Sequence, residues 1–234
     1  MAVEALIFDV FGTCVDWRAG GAKEVSRMAG AKGLAIDAAS FADAWRGRYQ
    51  PAMEEIRSGR RAYTELDVLH RENLDATLTA FGIDDHFNDD DRAELNHAWE
   101  KLPPWPDVVP GLSRLKPRFI IAPCSNGSIA LMTRLAKYGG LPWDCILGAG
   151  IARAYKPDPQ TYLASCAALQ LAPKNVMMVA AHNSDLEAAR HAGLMTAFIP
   201  RPDEFGDGSA EHIPSSGWNH VAEDFQELAS QLGC

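Results

Sequence analysis

Residues 5–13 have the sequence ALIFDVFGT, and the fold follows from this stretch. Positions 5 to 10 are apolar except for Asp9, and Gly12 follows them. A short, nearly continuous apolar run that ends at a glycine is typical of a strand buried on both faces of a parallel sheet. Similar runs predict further strands over residues 119–124, 145–147, 176–181 and 195–199.

Helical patterns lie between these apolar runs. Amphipathic spacing predicts helices over residues 128–138, 159–169 and 185–191, and Gly193 follows the last of them. Repeated strand–helix–strand order predicts a doubly wound parallel α/β sheet of the Rossmann-like type, with right-handed crossovers. Residues 201–219 are rich in Gly, Ser and Pro and are predicted to form a surface loop.

One interval interrupts the alternation. Residues 16–101 contain no convincing strand, and they are far too many for a βα connection, which usually has about 2–6 residues. Helices are predicted to start at Asp37, Thr64 and Asp89. We therefore predict a helical cap domain over residues 16–101, inserted into a core domain of residues 1–15 and 102–234. Prolines at positions 103, 104 and 106 mark the return to the core.

Polar side chains follow the predicted strands. Ligands of an open parallel sheet bind outside the carboxyl ends of its strands, so these side chains are candidates for a site. Taken singly, each has an ordinary structural explanation, such as a helix cap, a turn or a solvated lysine. Together they predict a functional site at one edge of the sheet. In chain order they are Asp9, Ser125, Asn126, Lys156, His182, Asn183 and Asp185.

The charge balance limits the kinds of partner. The 234 residues contain 22 Lys and Arg against 31 Asp and Glu, which gives a net charge of −9 at pH 7. An acidic chain without a basic run is a poor match for nucleic acid. No stretch has the roughly 18 consecutive apolar residues that span a membrane. Five scattered cysteines without a C-x-x-C pair, and an N-terminus unlike a signal peptide, predict a cytoplasmic location with reduced thiols.

The motifs together resemble a known enzyme family. FDVFGT at residues 8–13, SNG at 125–127 and KPDP at 156–159 are similar to motifs of the haloacid dehalogenase superfamily. Within it, FADAWRGRYQ at 41–50 and AAHNSDLEAAR at 180–190 resemble type II (S)-2-haloacid dehalogenases. The resemblance extends over nearly the whole chain, including the helical insert.

Two positions disfavour the phosphatases of this superfamily. Such phosphatases have a general acid two residues after the nucleophile, where this chain has Phe11. They also bind Mg²⁺ through an acidic residue four positions before the counterpart of Asp185, where this chain has Ala181. Without the acid and the metal ligand, phosphoryl transfer lacks the charge neutralisation that it requires.

The resemblance implies hydrolytic dehalogenation of short (S)-2-haloalkanoic acids to (R)-2-hydroxyalkanoic acids and halide, through an ester on Asp9 and without a metal or other cofactor. Arg46 is expected to receive the halogen, and Ser125 and Lys156 the substrate carboxylate. Asp185 either activates the hydrolytic water or orients Lys156. The remaining implied site residues are Phe11 against the substrate, Thr13 beside the nucleophile, Asn126 at the halogen or nucleophile, and Tyr162 in support. A homodimer is also implied, with the 2-haloacid, water and halide as small-molecule partners and neither nucleic acid nor membrane.

The chain departs from the family pattern at the fourth strand. Well-studied members have Ser-Ser-Asn where this chain has Ala180, Ala181 and His182. His182 could bind halide, orient water or only fill space. Gly47 stands where some relatives have a larger residue, so the preferred chain length stays open, as does the preferred halogen. A magnesium-dependent phosphatase and a non-catalytic small-anion-binding protein of the same fold are the two alternative functions.

Overall fold

A six-stranded sheet, with every strand parallel, forms the centre of the protein. The computed structural model describes residues 3–234. The strands are β1 (Ala5–Phe8), β2 (Ile120–Ser125), β3 (Leu147–Gly148), β4 (Val176–Ala180), β5 (Met195–Phe198) and β6 (His220–Val221). Their order across the sheet is β3-β2-β1-β4-β5-β6. The predicted doubly wound α/β fold is confirmed.

The strand order reverses beside β1. The chain moves from β1 outward through β2 to β3, then returns to place β4 on the other side of β1 and continues to β5 and β6. A crevice therefore opens beyond the carboxyl ends of β1 and β4, which is where ligands bind in folds of this kind. All five predicted strands are present with shifted ends. The sequence did not indicate β6, because its two residues are too short for an apolar run.

Helices cover both faces of the sheet. Leu6 and Phe8 of β1 face one hydrophobic cluster, and Ala5 and Ile7 face a second cluster on the opposite side. Alternation along a strand puts successive side chains on opposite faces, so β1 is buried on both. The helices after the insert are α6 (Val108–Leu115), α7 (Ile129–Gly139), α8 (Ala149–Ala152), α9 (Pro159–Ala168), α10 (Asn183–His191) and α11 (Phe225–Gln231).

The insert between β1 and α6 is helical, as the sequence predicts. Its helices are α1 (Trp17–Ala31), α2 (Ala38–Gly47), α3 (Tyr49–Arg57), α4 (Leu66–Ala80) and α5 (Asp89–Asn96). The side chain of Asp37 accepts hydrogen bonds from the amides of Ala39 and Ser40, so α2 begins where the sequence predicts. The sequence did not single out α1 and α3.

The chain enters and leaves the insert through two adjacent segments. The amide of Asp16 donates to the carbonyl of Pro103 at 2.9 Å, and the amide of Trp105 donates to the carbonyl of Cys14 at 3.0 Å. The two crossings therefore run side by side, next to the predicted boundaries. The division into two domains stays a prediction. Among residues 3–234, no helix is both long and apolar enough to cross a membrane.

The predicted surface loop over residues 201–219 is wrong for its first part. Arg201 and Glu204 are only 8% and 3% exposed. The Arg201 guanidinium donates to both carboxylate oxygens of Asp107 at 2.8 Å and to the carbonyl of Thr13 at 2.9 Å. Burial raises the pKa of Asp107, but the hydrogen bonds from Arg201 outweigh it and the net shift is downward. Buried charges of this kind persist because they are paired.

Gly111 tests the packing of α6 against α11. A Cβ at Gly111 would lie 2.4 Å from the Cβ of Phe225, too close for any side chain. We expect Gly111→Ala to lower the free energy of unfolding by about 1–3 kcal/mol, measured by urea denaturation. Gly30→Ala is the matched control, because Gly30 lies in α1 and a Cβ at its position would meet nothing within 4 Å. The control should gain about 0.5–1 kcal/mol, and equal effects at the two sites would contradict this packing argument.

Candidate active site

Asp9 is the central residue of the crevice. It directly follows β1, and its amide donates to the carbonyl of Val179 at 3.0 Å, which fixes it at the sheet edge. One carboxylate oxygen accepts from Nζ of Lys156 at 2.8 Å. The other accepts from Oγ1 of Thr13 at 2.6 Å and from Nδ1 of His182 at 3.1 Å. The side chain is thus held by three donors while it remains buried.

These neighbours keep Asp9 ionised. Burial alone raises the pKa of a carboxyl group, because it disfavours the charged form. The charge of Lys156 and the hydrogen bond and charge of His182 outweigh that effect, so the pKa of Asp9 is far below its ordinary value. At neutral pH the site therefore contains a desolvated carboxylate, which is the form that acts as a nucleophile.

Lys156 connects Asp9 to a second buried carboxylate. Its Nζ donates to Asp185 at 2.5 Å, while the hydroxyl of Tyr162 donates to the other oxygen of Asp185 at 2.5 Å. Burial disfavours the ammonium form, but the charges of Asp185 and Asp9 dominate and raise the pKa of Lys156. Both oxygens of Asp185 already accept hydrogen bonds. Asp185 is therefore better placed to orient Lys156 than to remove a proton from water.

His182 lies between two carboxylates. Its Nδ1 donates to Asp9, and its Nε2 lies 2.9 Å from a carboxylate oxygen of Glu204. Burial lowers the pKa of the imidazole, but the hydrogen bonds and charges of both carboxylates raise it to about 10. The ring is therefore an imidazolium at neutral pH, and which of the three roles considered for it applies stays a prediction.

Glu204 was missed by the sequence. It lies in a stretch whose composition is typical of an exposed loop, and no spacing or motif connects it with His182. Its second oxygen accepts from the indole nitrogen of Trp17 at 3.0 Å. The close approach depends on Gly12, which has a φ of +89° and where a Cβ would lie 2.1 Å from the Glu204 carboxylate. Gly12 of the first motif therefore makes room for a carboxylate that is remote in sequence.

Ser125 and Asn126 have different places in the site. Asn126 lines the cavity, its oxygen accepts from the backbone amide of Lys156 at 2.8 Å, and its nitrogen donates to the Tyr49 hydroxyl at 3.1 Å. The Ser125 hydroxyl accepts from the amide of Gly127 at 3.1 Å, and Ser125 is not among the cavity-lining residues. Its contact with a substrate carboxylate stays a prediction.

Arg46 faces the cavity from the insert and is surrounded by aromatic rings. Its guanidinium carbon lies 3.9 Å from the ring centre of Tyr49 and 5.4 Å from that of Trp17. The rings of Phe11 and Trp99 are 5.5 and 6.0 Å away. Within residues 3–234, its Nη1 is buried and has no hydrogen-bond partner. A cation supported by π faces and short of acceptors is suited to bind an anion.

A cavity of about 790 Å³ joins these groups. It brings together most of the predicted site residues; Thr13 and Ser125 lie behind its wall, and Asn183 is not among the residues that line it. Thr13 acts there through two hydrogen bonds, since its hydroxyl donates to Asp9 and accepts from the amide of Ala181 at 2.9 Å. The predicted residues that line the cavity are Asp9, Phe11, Arg46, Asn126, Lys156, Tyr162, His182 and Asp185.

The residues do not fit a magnesium ion. The ammonium of Lys156 lies between Asp9 and Asp185, the position from which a cation would contact both carboxylates. Ala181 supplies no oxygen from its side chain, and Mg²⁺ requires several hard oxygen ligands. In the described part of the chain, no three His, Cys, Asp or Glu side chains are arranged to hold a metal.

The chain matches the family model of the haloacid dehalogenase-like hydrolases over residues 3–193. The chain belongs to this family of hydrolases. A haloacid dehalogenase-like hydrolase from Burkholderia cepacia, (S)-2-haloacid dehalogenase 4A, is 30% identical over 221 residues, which cover 92% of each chain.

Two solved structures of haloacid dehalogenase-like hydrolases are more similar. A defluorinating L-2-haloacid dehalogenase is 50% identical, with a TM-score of 0.97 over 99% of this chain and 96% of that one. Another L-2-haloacid dehalogenase is 40% identical, with a TM-score of 0.95 over 99% of both chains. The family resemblance of the sequence motifs is thereby confirmed.

Glu204→Gln tests the electrostatics of the His182–Glu204 pair. Removal of one of its two carboxylate partners should lower the pKa of His182 from about 10, measured by NMR titration of the ring nitrogens. Because the folded pKa is raised, His182 stabilises the fold fully below pH 6.5 and loses this contribution as the pH rises to about 10. This loss should also shrink in the variant. Glu211→Gln, an exposed change on the same loop, is the control, and an unchanged His182 pKa in Glu204→Gln would contradict the pairing.

Proposed function

We propose that the protein hydrolyses the carbon–halogen bond of short (S)-2-haloalkanoic acids to give (R)-2-hydroxyalkanoic acids and halide, through an ester on Asp9. One observation carries the proposal. A buried, ionised carboxylate shares a cavity with a guanidinium that lacks acceptors. A nucleophile and an anion receptor are the two groups that displacement of halide requires.

In the first half-reaction, the Asp9 carboxylate attacks C2 of the substrate. The new C–O bond forms as the C2–halogen bond breaks, and the halogen leaves with the bonding electrons towards Arg46. Attack from the side opposite the halogen inverts C2. Lys156 uses two of its three donors on Asp9 and Asp185, so one remains for the substrate carboxylate.

In the second half-reaction, water hydrolyses the ester. Formation of the ester removes the charge of Asp9, so His182 loses one of its two anionic partners, its pKa falls, and the rings that have released their proton to solvent are available as a base. The neutral ring, oriented by Glu204, then takes a proton from the attacking water, whose hydroxyl adds to the ester carbonyl. The proton passes to the departing alkoxide. The second proton of the water is left on the new carboxyl group. It then passes to His182, which restores the starting state.

The alternatives are less well supported. A magnesium-dependent phosphatase needs a general acid where Phe11 packs against Arg46, and an acidic metal ligand where Ala181 lies. A non-catalytic anion-binding protein would have no need of a desolvated carboxylate facing the anion. The similarity to a defluorinating relative extends the proposal to fluoride release from fluoroacetate.

Halide release in excess EDTA is the direct assay. With (S)-2-chloropropionate, chloroacetate and fluoroacetate as substrates, we expect the wild-type protein to release halide in the presence of chelator. Asp9→Asn should slow release by more than about a thousandfold, because an amide does not displace halide. Asp90→Asn, an exposed change, is the control.

Three results separate the functions. Activity only after Mg²⁺ is restored, with a phosphate ester as substrate, indicates the phosphatase. Binding of 2-haloacids without halide from any of them indicates the non-catalytic protein. Near wild-type rates in Asp9→Asn would overturn the ester mechanism.

Glu204→Gln separates the two half-reactions. The Asp9 nucleophile is intact in this variant, so the first turnover should release about one equivalent of halide per site. Ester hydrolysis should then slow by about tenfold or more, because the general base His182 is no longer oriented by a carboxylate, and the ester should accumulate on the peptide containing Asp9. Mass spectrometry detects that peptide, and Glu211→Gln should show no accumulation. A burst slowed as much as the steady phase would place Glu204 before ester formation instead.

A further inference from the structure

Residues of the helical insert line part of the cavity. Asp43, Arg46 and Gly47 of α2 and Gln50 of α3 all contribute to the lining. Asp43, Arg46 and Gly47 are three and four residues apart and so lie on one face of α2, whereas Gln50 belongs to the next helix, α3. The glycine is therefore the one member of this face that presents no side chain to the cavity, directly next to the anion-binding arginine.

The fold does not require a glycine at position 47. Gly47 lies within α2 and is not among the glycines with positive φ. A Cβ at this position would meet nothing within 4 Å. Gly47 is the last residue of α2, and neither a left-handed backbone nor a close approach accounts for a glycine there. What Gly47 provides is space beside Arg46.

Two aromatic side chains also line the cavity. Phe205 and Trp17 both line the cavity and pack edge to face, with ring centres 6.0 Å apart. Phe205 is 39% exposed, so part of its ring is open to a ligand. Cavities of about 300–1,000 Å³ hold ligands of drug size, and a 2-haloacid of six heavy atoms fills only a small part of 790 Å³. The reaction at Asp9 needs only part of this volume. We call the remainder, which is lined by Gly47, Gln50, Phe205 and Asp207, the outer cavity.

The outer cavity disfavours a second anionic group on the substrate. Asp43 and Asp207 line the cavity, and Arg18 pairs only with Asp43, at 2.7 and 2.8 Å. Asp207 therefore has no salt-bridge partner among the described residues, and its charge would repel an anionic substituent on C2. An uncharged ring avoids this repulsion and can pack edge to face against Phe205.

We propose that the outer cavity binds an uncharged aromatic substituent of the substrate, so that 2-halo-3-arylpropionates are substrates alongside the short 2-haloacids. Gly47 is the residue that determines this specificity. This inference rests on the proposed function, because the ring is placed by a carboxylate and halogen bound in the inner part of the cavity.

The test compares two substrates in four variants. Wild-type protein should release chloride from (S)-2-chloro-3-phenylpropionate with a kcat/KM at least equal to that for (S)-2-chloropropionate. Gly47→Leu should lower the ratio of kcat/KM for the phenyl substrate to kcat/KM for chloropropionate by at least about tenfold. Phe205→Ala should act in the same direction. Gly30→Leu and Ile213→Ala, which add or remove apolar bulk away from the cavity, should leave the ratio unchanged.

The outcomes distinguish this inference from the proposed function. Chloride from chloropropionate but none from the phenyl substrate overturns the inference and leaves the function intact. Equal losses for both substrates in Gly47→Leu also overturn it. If neither acid releases chloride, the proposed function is overturned. Calorimetry with 3-phenylpropionate and propionate then tests the aromatic pocket without requiring turnover. Tighter binding of 3-phenylpropionate that is lost in Gly47→Leu supports the aromatic pocket, and equal binding of the two acids overturns it.

Discussion

The Lys156 ammonium, held between Asp9 and Asp185, is the interaction on which the rest of the site depends. Two carboxylates buried at the ends of β1 and β4 would repel each other and take up protons if no cation lay between them. With Lys156 in place, Asp9 stays ionised in a cavity that excludes much of the solvent. The hydroxyl of Tyr162 on Asp185 and the oxygen of Asn126 on the Lys156 amide then fix the lysine from both ends.

The remaining charges follow from the same constraint. Asp9 and two further carboxylates are matched by three cations, so this group of six is neutral although the chain carries a net charge of −9; Asp43 and Asp207 line the cavity outside this group. Of the cations, only the guanidinium lacks a carboxylate partner among the described residues, which leaves it available to an anion. Local positive potential in a cleft can attract an anion to an acidic protein. The six groups are Asp9, Asp185, Glu204, Lys156, His182 and Arg46.

Local sequence rules predicted the elements that carry strong local signals. β1, β2, β4 and β5 are continuous apolar runs, and α2 begins at the capping residue Asp37. β6 has two residues and no apolar pattern, and it forms because β5 offers a free edge. Residues 201–204 were misplaced because their composition is that of a loop, whereas Arg201 is buried through its ion pair with Asp107.

The sequence by itself determined the fold class, the helical insert and eight of the residues that line the cavity. Parallel strands bring their carboxyl ends to one edge, so residues that follow apolar runs must meet there. Only the tertiary structure decided the charge state of His182. The loop after β5 brings Glu204 to His182, and the absence of a side chain at Gly12 leaves room for the Glu204 carboxylate. The carboxylates of Asp9 and Glu204 together set the charge of the imidazole. Contacts of that kind depend on three-dimensional approach, which no local periodicity or spacing encodes.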